Sequence, residues 1–256
     1  MRTYPDTFVP IQCHIGDGYA IPWNSQRASF YGVSGTPTTW FDGVLECEGA
    51  YANDDQMVNW YNQQIQNRLG VPTDVTIDVY GVETGTQTYE ITAIVGIDAG
   101  GTAKTMTVHV VRVLDYYPFH ADRRYRNCVR EHLGATAVTL GPGESTVITH
   151  TLTLDGVDWE NQEDVGIVAF AQQPGSYAPR EVYNAGVMGW PFIPQYVDGD
   201  VDLDGDVDLS DLSALLASYG LCLGDPGYND AADFVDDDCI TLADLSALLA
   251  NYGYGT

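Results

Sequence analysis

The sequence predicts a multidomain α+β protein: a partial α/β unit, an antiparallel β-sandwich and a small helical cation-binding module. Three observations carry that expectation. Leu242 to Gly253 repeats Leu209 to Gly220 with only two changes, 33 residues further on. Between residues 71 and 190, apolar side chains recur mainly with a period of two, the signature of half-buried strands. Before that, a helical pattern from Asn24 to Tyr31 leads through Gly35-Thr36-Pro37-Thr38 to Trp40-Phe41-Asp42-Gly43. The corresponding segments are 1–70, 71–190, a linker at 191–197, and 198–256.

Composition sets the limits. A chain of 256 residues with 45% hydrophobic and 11% aromatic content has the makings of packed domains and not of a disordered chain. Its formal net charge is −26, with 10 basic residues against 36 acidic ones. That balance argues against nucleic acid, whose binding rests on cationic contacts to phosphate. No apolar run approaches the roughly 18 residues of a membrane span. Met1-Arg-Thr-Tyr-Pro-Asp has no apolar stretch of the kind a signal peptide needs.

In chain order, Phe8-Val-Pro-Ile-Gln-Cys13-His14-Ile15 reads as a short buried strand. Asp42-Gly43 is a two-residue hairpin signal, and Val58 to Leu69 supplies an amphipathic helix. A strand entered through Gly-Thr-Pro-Thr and left through Asp-Gly resembles the cis-proline hairpin of the thioredoxin fold, which makes Pro37 the candidate cis-proline. The resemblance covers Phe8 to about Leu69. The catalytic Cys-x-x-Cys of that fold has no counterpart here. A thiol–disulfide oxidoreductase is therefore an expectation only if the redox motif lies upstream. Cys13 and Cys47 are either a pair or single buried thiols.

From Val75 to Phe170 about seven short strands alternate with Gly-rich turns at Gly85, Gly100-Gly101, Gly141-Pro142-Gly143 and Asp155-Gly156. This is similar to an immunoglobulin-like sandwich. A thioredoxin-like unit followed by such a sandwich resembles a family of secreted or outer-membrane-linked bacterial proteins that share no single reaction. The segment from Asp115 to His132 holds four of the nine arginines: Arg123, Arg124, Arg126 and Arg130. It reads either as a binding loop for carboxylates, sugars or an acidic partner, or as a loop whose arginines pair with this chain's own acids. His120, Cys128 and His132 lack metal-site spacing, and Asp158, Glu160, Glu163 and Asp164 read as a solvated turn.

From Asp198 onward there are fourteen aspartates and no Lys, Arg or Glu. Asp200, Asp202, Asp204, Asp208 and Asp211 occupy positions 1, 3, 5, 9 and 12 of a twelve-residue loop. Gly205 stands at position 6, and the carbonyl of Asp206 at position 7. A hard dication takes six to eight oxygens, and alternate residues of a tight loop point theirs inward. The second loop supplies Asp233, Asp237, Cys239, Thr241 and Asp244, with Val235 and Asp238 where a ligand and Gly are expected. Two calcium ions follow, the second more weakly held. Cys222 and Cys239 are candidates for a bridge closing a loop of about 16 residues, with two free thiols as the alternative. A bridge, like millimolar calcium, points to an extracellular or cell-surface location.

Paired loops each followed by one Leu-rich helix resemble a type I dockerin, over roughly Asp198 to Gly253. The resemblance implies a cohesin-like partner met through loop positions 10 and 11, here Leu209-Ser210 and Leu242-Ala243. The expected function is thus a secreted, non-catalytic calcium-binding protein that joins an extracellular assembly. Alternatives are a calcium-stabilised surface fibre built from copies of this chain, the oxidoreductase above, and a component of a polysaccharide-degrading complex.

Overall fold

The computed structural model describes residues 8–50, 53–115, 117–120, 123–193, 197–202, 206–235 and 237–254. Two compact units divide the chain: Met1–Val79 with Glu83–Pro191, and Tyr80–Val82 with Phe192–Thr256.

The first unit is built on two sheets. Helix α1 (Pro22–Tyr31) precedes a hairpin of β1 (Thr38–Phe41) and β2 (Leu45–Glu48), and helix α2 (Asp54–Leu69) follows. Then come β3 (Val75–Gly85), β4 (Thr88–Ile97), β5 (Lys104–Leu114), the short pair β6 (Tyr117–His120) and β7 (Arg123–Tyr125), β8 (Cys128–Leu140) and β9 (Ser145–Thr153). A single helical turn, α3 (Gly156–Glu160), leads to β10 (Val165–Gln172) and β11 (Val182–Gly189). The order β11-β10-β5-β8 forms a four-stranded sheet and β3-β4-β9 a three-stranded one. The Arg112 Nη1 donates to the Thr153 carbonyl at 3.3 Å, and Asn184 Nδ2 donates to the Val75 carbonyl at 2.7 Å, so the two sheets pack face to face.

The period-two pattern decides which side chains fill the space between them. Val75, Ile77 and Val79 alternate with exposed or half-buried residues on β3, as do Met106, Val108 and Val110 with their neighbours on β5. β10 is buried on nearly all positions because its second face is covered too. Val168 and Phe170 join Val111, Val113, Val129 and Trp23 in a cluster against which Val9, Ile11, Cys13 and Ile21 pack. Burying apolar surface on both faces is the main driving force for this arrangement.

The strand content corrects the expected fold class. The protein is predominantly β, not a multidomain α+β assembly with a dockerin. Among the described residues, the sheet within the N-terminal 70 residues is limited to the two-stranded β1–β2 hairpin. Phe8 to Ile15 is not a strand of that sheet: Gln12 forms one parallel bridge to Cys128, with Val129 N–H donating to Gln12 O at 2.9 Å. Val9, Ile11 and Cys13 pack on the four-stranded sheet of the sandwich, while Phe8 stacks on Phe41 of the hairpin. What remains is the β1–β2 hairpin, backed by α2 through Phe41, Cys47 and Ile65. Asp42 and Gly43 both take positive φ, 45° and 71°, as a primed turn requires. A Cβ on Gly43 would lie 2.1 Å from the Arg180 carbonyl oxygen.

The second unit is small. Helices α4 (Leu209–Ser218) and α5 (Leu242–Asn251) enclose Val201, Val207, Leu215, Ala232, Ile240 and Leu248.

Candidate functional site: the paired acidic loops

Each helix of the second unit begins in an acidic loop, and in each the aspartate at helix position N3 ties that loop together. Asp208 caps α4, accepting from Ser210 N–H at 2.6 Å, an arrangement that satisfies an otherwise orphaned donor. Asp211 answers in a capping box. Its Oδ2 accepts from Asp208 N–H at 2.8 Å, and its Oδ1 accepts from Val201 N–H at 2.7 Å and Asp202 N–H at 3.3 Å. One carboxylate thus pins both ends of the loop. Asp211 and Asp200 are both fully buried.

Asp211 also stands where two carboxylate groups meet. Oxygens of Asp200, Asp202 and Asp211 lie within 4.8 Å of one another, as do those of Asp206, Asp208 and Asp211. Ligands on opposite sides of a calcium ion are separated by about twice its 2.3–2.6 Å bond length. The spacing therefore fits an oxygen-ligated dication. Asp204 and Gly205 lie outside the described residues.

The second loop repeats the framework but not the ligand groups. Thr241 caps α5, accepting from Ala243 N–H at 3.2 Å. Asp244, fully buried like Asp211, accepts from Thr241 N–H at 2.7 Å, Thr241 Oγ1 at 3.2 Å and Val235 N–H at 3.0 Å. Burial alone would raise the Asp244 pKa. The donors from Thr241 and Val235 outweigh it and hold the carboxyl below the usual aspartate range. Asp233 is engaged otherwise: its Oδ2 accepts from the Tyr228 hydroxyl at 2.8 Å and its Oδ1 from Asp237 N–H at 3.2 Å. Asp237 Oδ1 in turn accepts from Cys239 N–H at 3.2 Å. Asp238 takes a positive φ of 65° at the position filled by glycine in the first loop. Among the described residues no three acidic groups of this loop converge.

The repeat is reciprocal in space. Val207 N–H donates to Tyr254 O at 2.9 Å and Gly253 N–H to Val207 O at 2.8 Å; 33 residues apart, Ile240 N–H donates to Leu221 O at 2.9 Å and Gly220 N–H to Ile240 O at 2.8 Å. Each loop's central apolar residue is therefore clamped by the chain leaving the other helix. Loop-ligand counting does not find this pairing. The 33-residue equivalence of Val207 with Ile240 and of Gly220 with Gly253 carried the signal. Cys222 and Cys239 are joined by a disulfide beside the second clamp.

Leu209, Ser210, Leu242 and Ala243 are all exposed at the helix starts. Leu209 and Leu242 are 64% and 66% accessible, and Leu216, Leu249, Tyr219 and Tyr252 are exposed further along. Leucines seven residues apart share a helix face, so each helix shows solvent an apolar edge.

Several chemistry-bearing residues of the first unit are occupied structurally. Arg126 pairs with Asp115, and Arg130 and Arg112 share the buried carboxylate of Asp158 at 3.0 Å and 2.9 Å. His120 side-chain geometry lies outside the described residues. The Thr36–Pro37 bond is cis. Cys13, Cys47 and Cys128 are free thiols, with Cys13 and Cys47 in separate clusters. Burial pushes Cys13 up to about 12 and Cys128 up to about 11, the reverse of what activates a redox thiolate.

No known protein family and no curated protein matches this sequence. The fold is similar to that of HBP35 of Porphyromonas gingivalis, at 16% identity and a TM-score of 0.55, over 69% of this chain and 61% of that one. This chain thus spans less than two thirds of the HBP35 structure. A domain of the outer membrane lipoprotein Omp28 from Porphyromonas gingivalis superposes over 46% of this chain and 90% of its own, with 19% identity and a TM-score of 0.33. A β-glucosidase from Kluyveromyces marxianus gives 13% identity and a TM-score of 0.27, over 46% of this chain and 14% of that chain. The likeness to HBP35 is one of fold alone. None of these likenesses supports the dockerin resemblance.

Proposed function

We propose that this is a surface-associated or secreted, non-catalytic protein whose C-terminal unit is set by calcium and holds a protein partner. The observation that carries the reading is Asp211, buried where two sets of carboxylates meet, the oxygens of each set within 4.8 Å of one another. Clustered carboxylates repel one another unless a cation neutralises them. Calcium, when bound, supplies that neutralisation and joins Asp200, Asp202, Asp206 and Asp208 around the shared Asp211. The loop then holds the start of α4, and its reciprocal clamp holds the second loop. Two ions remain the proposal, the second weaker because Asp233 is already engaged by Tyr228.

The partner is a cohesin-like protein or a second copy of this chain, met through the apolar edges around Leu209 and Leu242. A surface fibre is the form that self-association would take. The disulfide supports an oxidising location. Calorimetric titration of calcium into the chelator-treated protein tests the reading, with light scattering on the same samples. Binding with rising mass supports self-association, and binding without it supports a foreign partner. Absence of calcium binding refutes the proposal.

A further inference from the structure

A cavity of about 600 Å3 in the first unit is lined by Trp23, Arg27, Phe30, His109 and a rim that includes Ser29 and Ser176. Helix α1 forms one wall, and Ala178 N–H donates to Phe30 O at 2.8 Å, which holds the segment bearing Ser176 against the helix end. Arg27 is only 9% exposed. A buried guanidinium ordinarily recruits a carboxylate. Buried Arg112 does so in this chain, and the more accessible Arg68, Arg126 and Arg130 pair with carboxylates as well. Arg27 has no ion pair among the described residues. Its Nη2 donates to the Tyr31 hydroxyl and to Gln172 Oε1, both at 2.9 Å, and the donors on Nε and Nη1 have no protein acceptor there.

The surroundings fit an incoming anion. The rings of Phe30, Tyr31, Trp23 and Phe170 stand 4.7, 4.8, 5.4 and 5.6 Å from the guanidinium carbon. They stabilise the cation and present apolar walls. Among the described residues no acidic side chain lines the cavity, in a chain with 36 of them. Burial, with Arg27 and His132 adding to it, pushes His109 down to about 3, so at neutral pH Arg27 is the one charge among the described lining residues.

We infer that this cavity binds a small organic carboxylate with an apolar body, its carboxylate on Arg27 and its body against Trp23 and Phe30. All of these lining residues belong to the first unit. Phenylacetate and its uncharged analogue phenylacetamide test it by NMR on the full chain. The signals to follow are the Arg27 Nε–H and the Trp23 indole N–H. Phenylacetate is expected to shift both saturably, at least about tenfold more tightly than the amide, the difference that one charge-assisted hydrogen bond makes. Arg27→Met, checked for fold by circular dichroism, is expected to abolish the response. Equal responses to acid and amide, no saturable response, or unchanged binding in a folded Arg27→Met protein would overturn the inference. Should that variant not fold, the acid and amide comparison on the unaltered chain decides alone.

Discussion

Replacing Asp211 by Asn tests whether one buried carboxylate organises the first loop. The Oδ1 atom would keep the donors from Val201 and Asp202. The new amide nitrogen would then face Asp208 N–H, donor against donor, where a 2.8 Å bond stood. A hydrogen bond to a charged group contributes about 1.5–3 kcal/mol, and a buried donor left without an acceptor costs about 1–3 kcal/mol. A loss of about 2 kcal/mol or more is therefore expected before any effect on cation binding. The intact unit is expected to hold roughly 3–10 kcal/mol at its size. Hydrogen exchange of the α4 and α5 amides, read by mass spectrometry in calcium and in chelator, measures the opening free energy. Amides protected in the parent protein should exchange about 30-fold faster in the variant. The exposed Asp198→Asn is the control, expected within about 0.5 kcal/mol of the parent. If the two variants exchange alike, the role given to Asp211 is wrong.

Three further outcomes follow from the same geometry. Asp244 has a folded pKa below its unfolded value of about 3.9. Its contribution is therefore complete above that unfolded value and is lost as pH falls through the lower folded one. Resistance of the second repeat to urea should weaken below pH ~4, and Asp244→Asn should flatten that acid limb. Reducing the Cys222–Cys239 bridge, or replacing both residues by Ser, should cost about 3 kcal/mol by releasing the closed loop. The clamp bonds of Ile240 to Leu221 and Gly220 would still hold the local pairing, and thermal melting with and without reductant measures the difference. Cys13 and Cys128 should resist alkylation at neutral pH, with thiols pushed up to about 12 and about 11. Rapid labelling of the native protein, followed by peptide mass spectrometry, would contradict that, and insulin reduction by the protein should be blank.

Local patterns along the chain are legible where a structure is made by neighbours. The strand runs at Val75, Met106 and Val165 and the turn at Asp42-Gly43 need only alternation and backbone stereochemistry. The acidic loop needs only carboxylates on alternate residues followed by a helix. Both capping boxes lie within four residues of chain, so the 33-residue repeat shows them directly.

Contacts between distant segments decided the rest. Val9, Ile11 and Cys13 are as apolar as any edge strand, and nothing nearby in sequence shows that they cover β5, β8 and β10. The same holds for Arg27, whose neighbours Gln172 and Phe170 lie more than 140 residues away. Apolar burial is non-directional: sequence periodicity determines that a face will be covered, and only the tertiary structure decides which segment covers it.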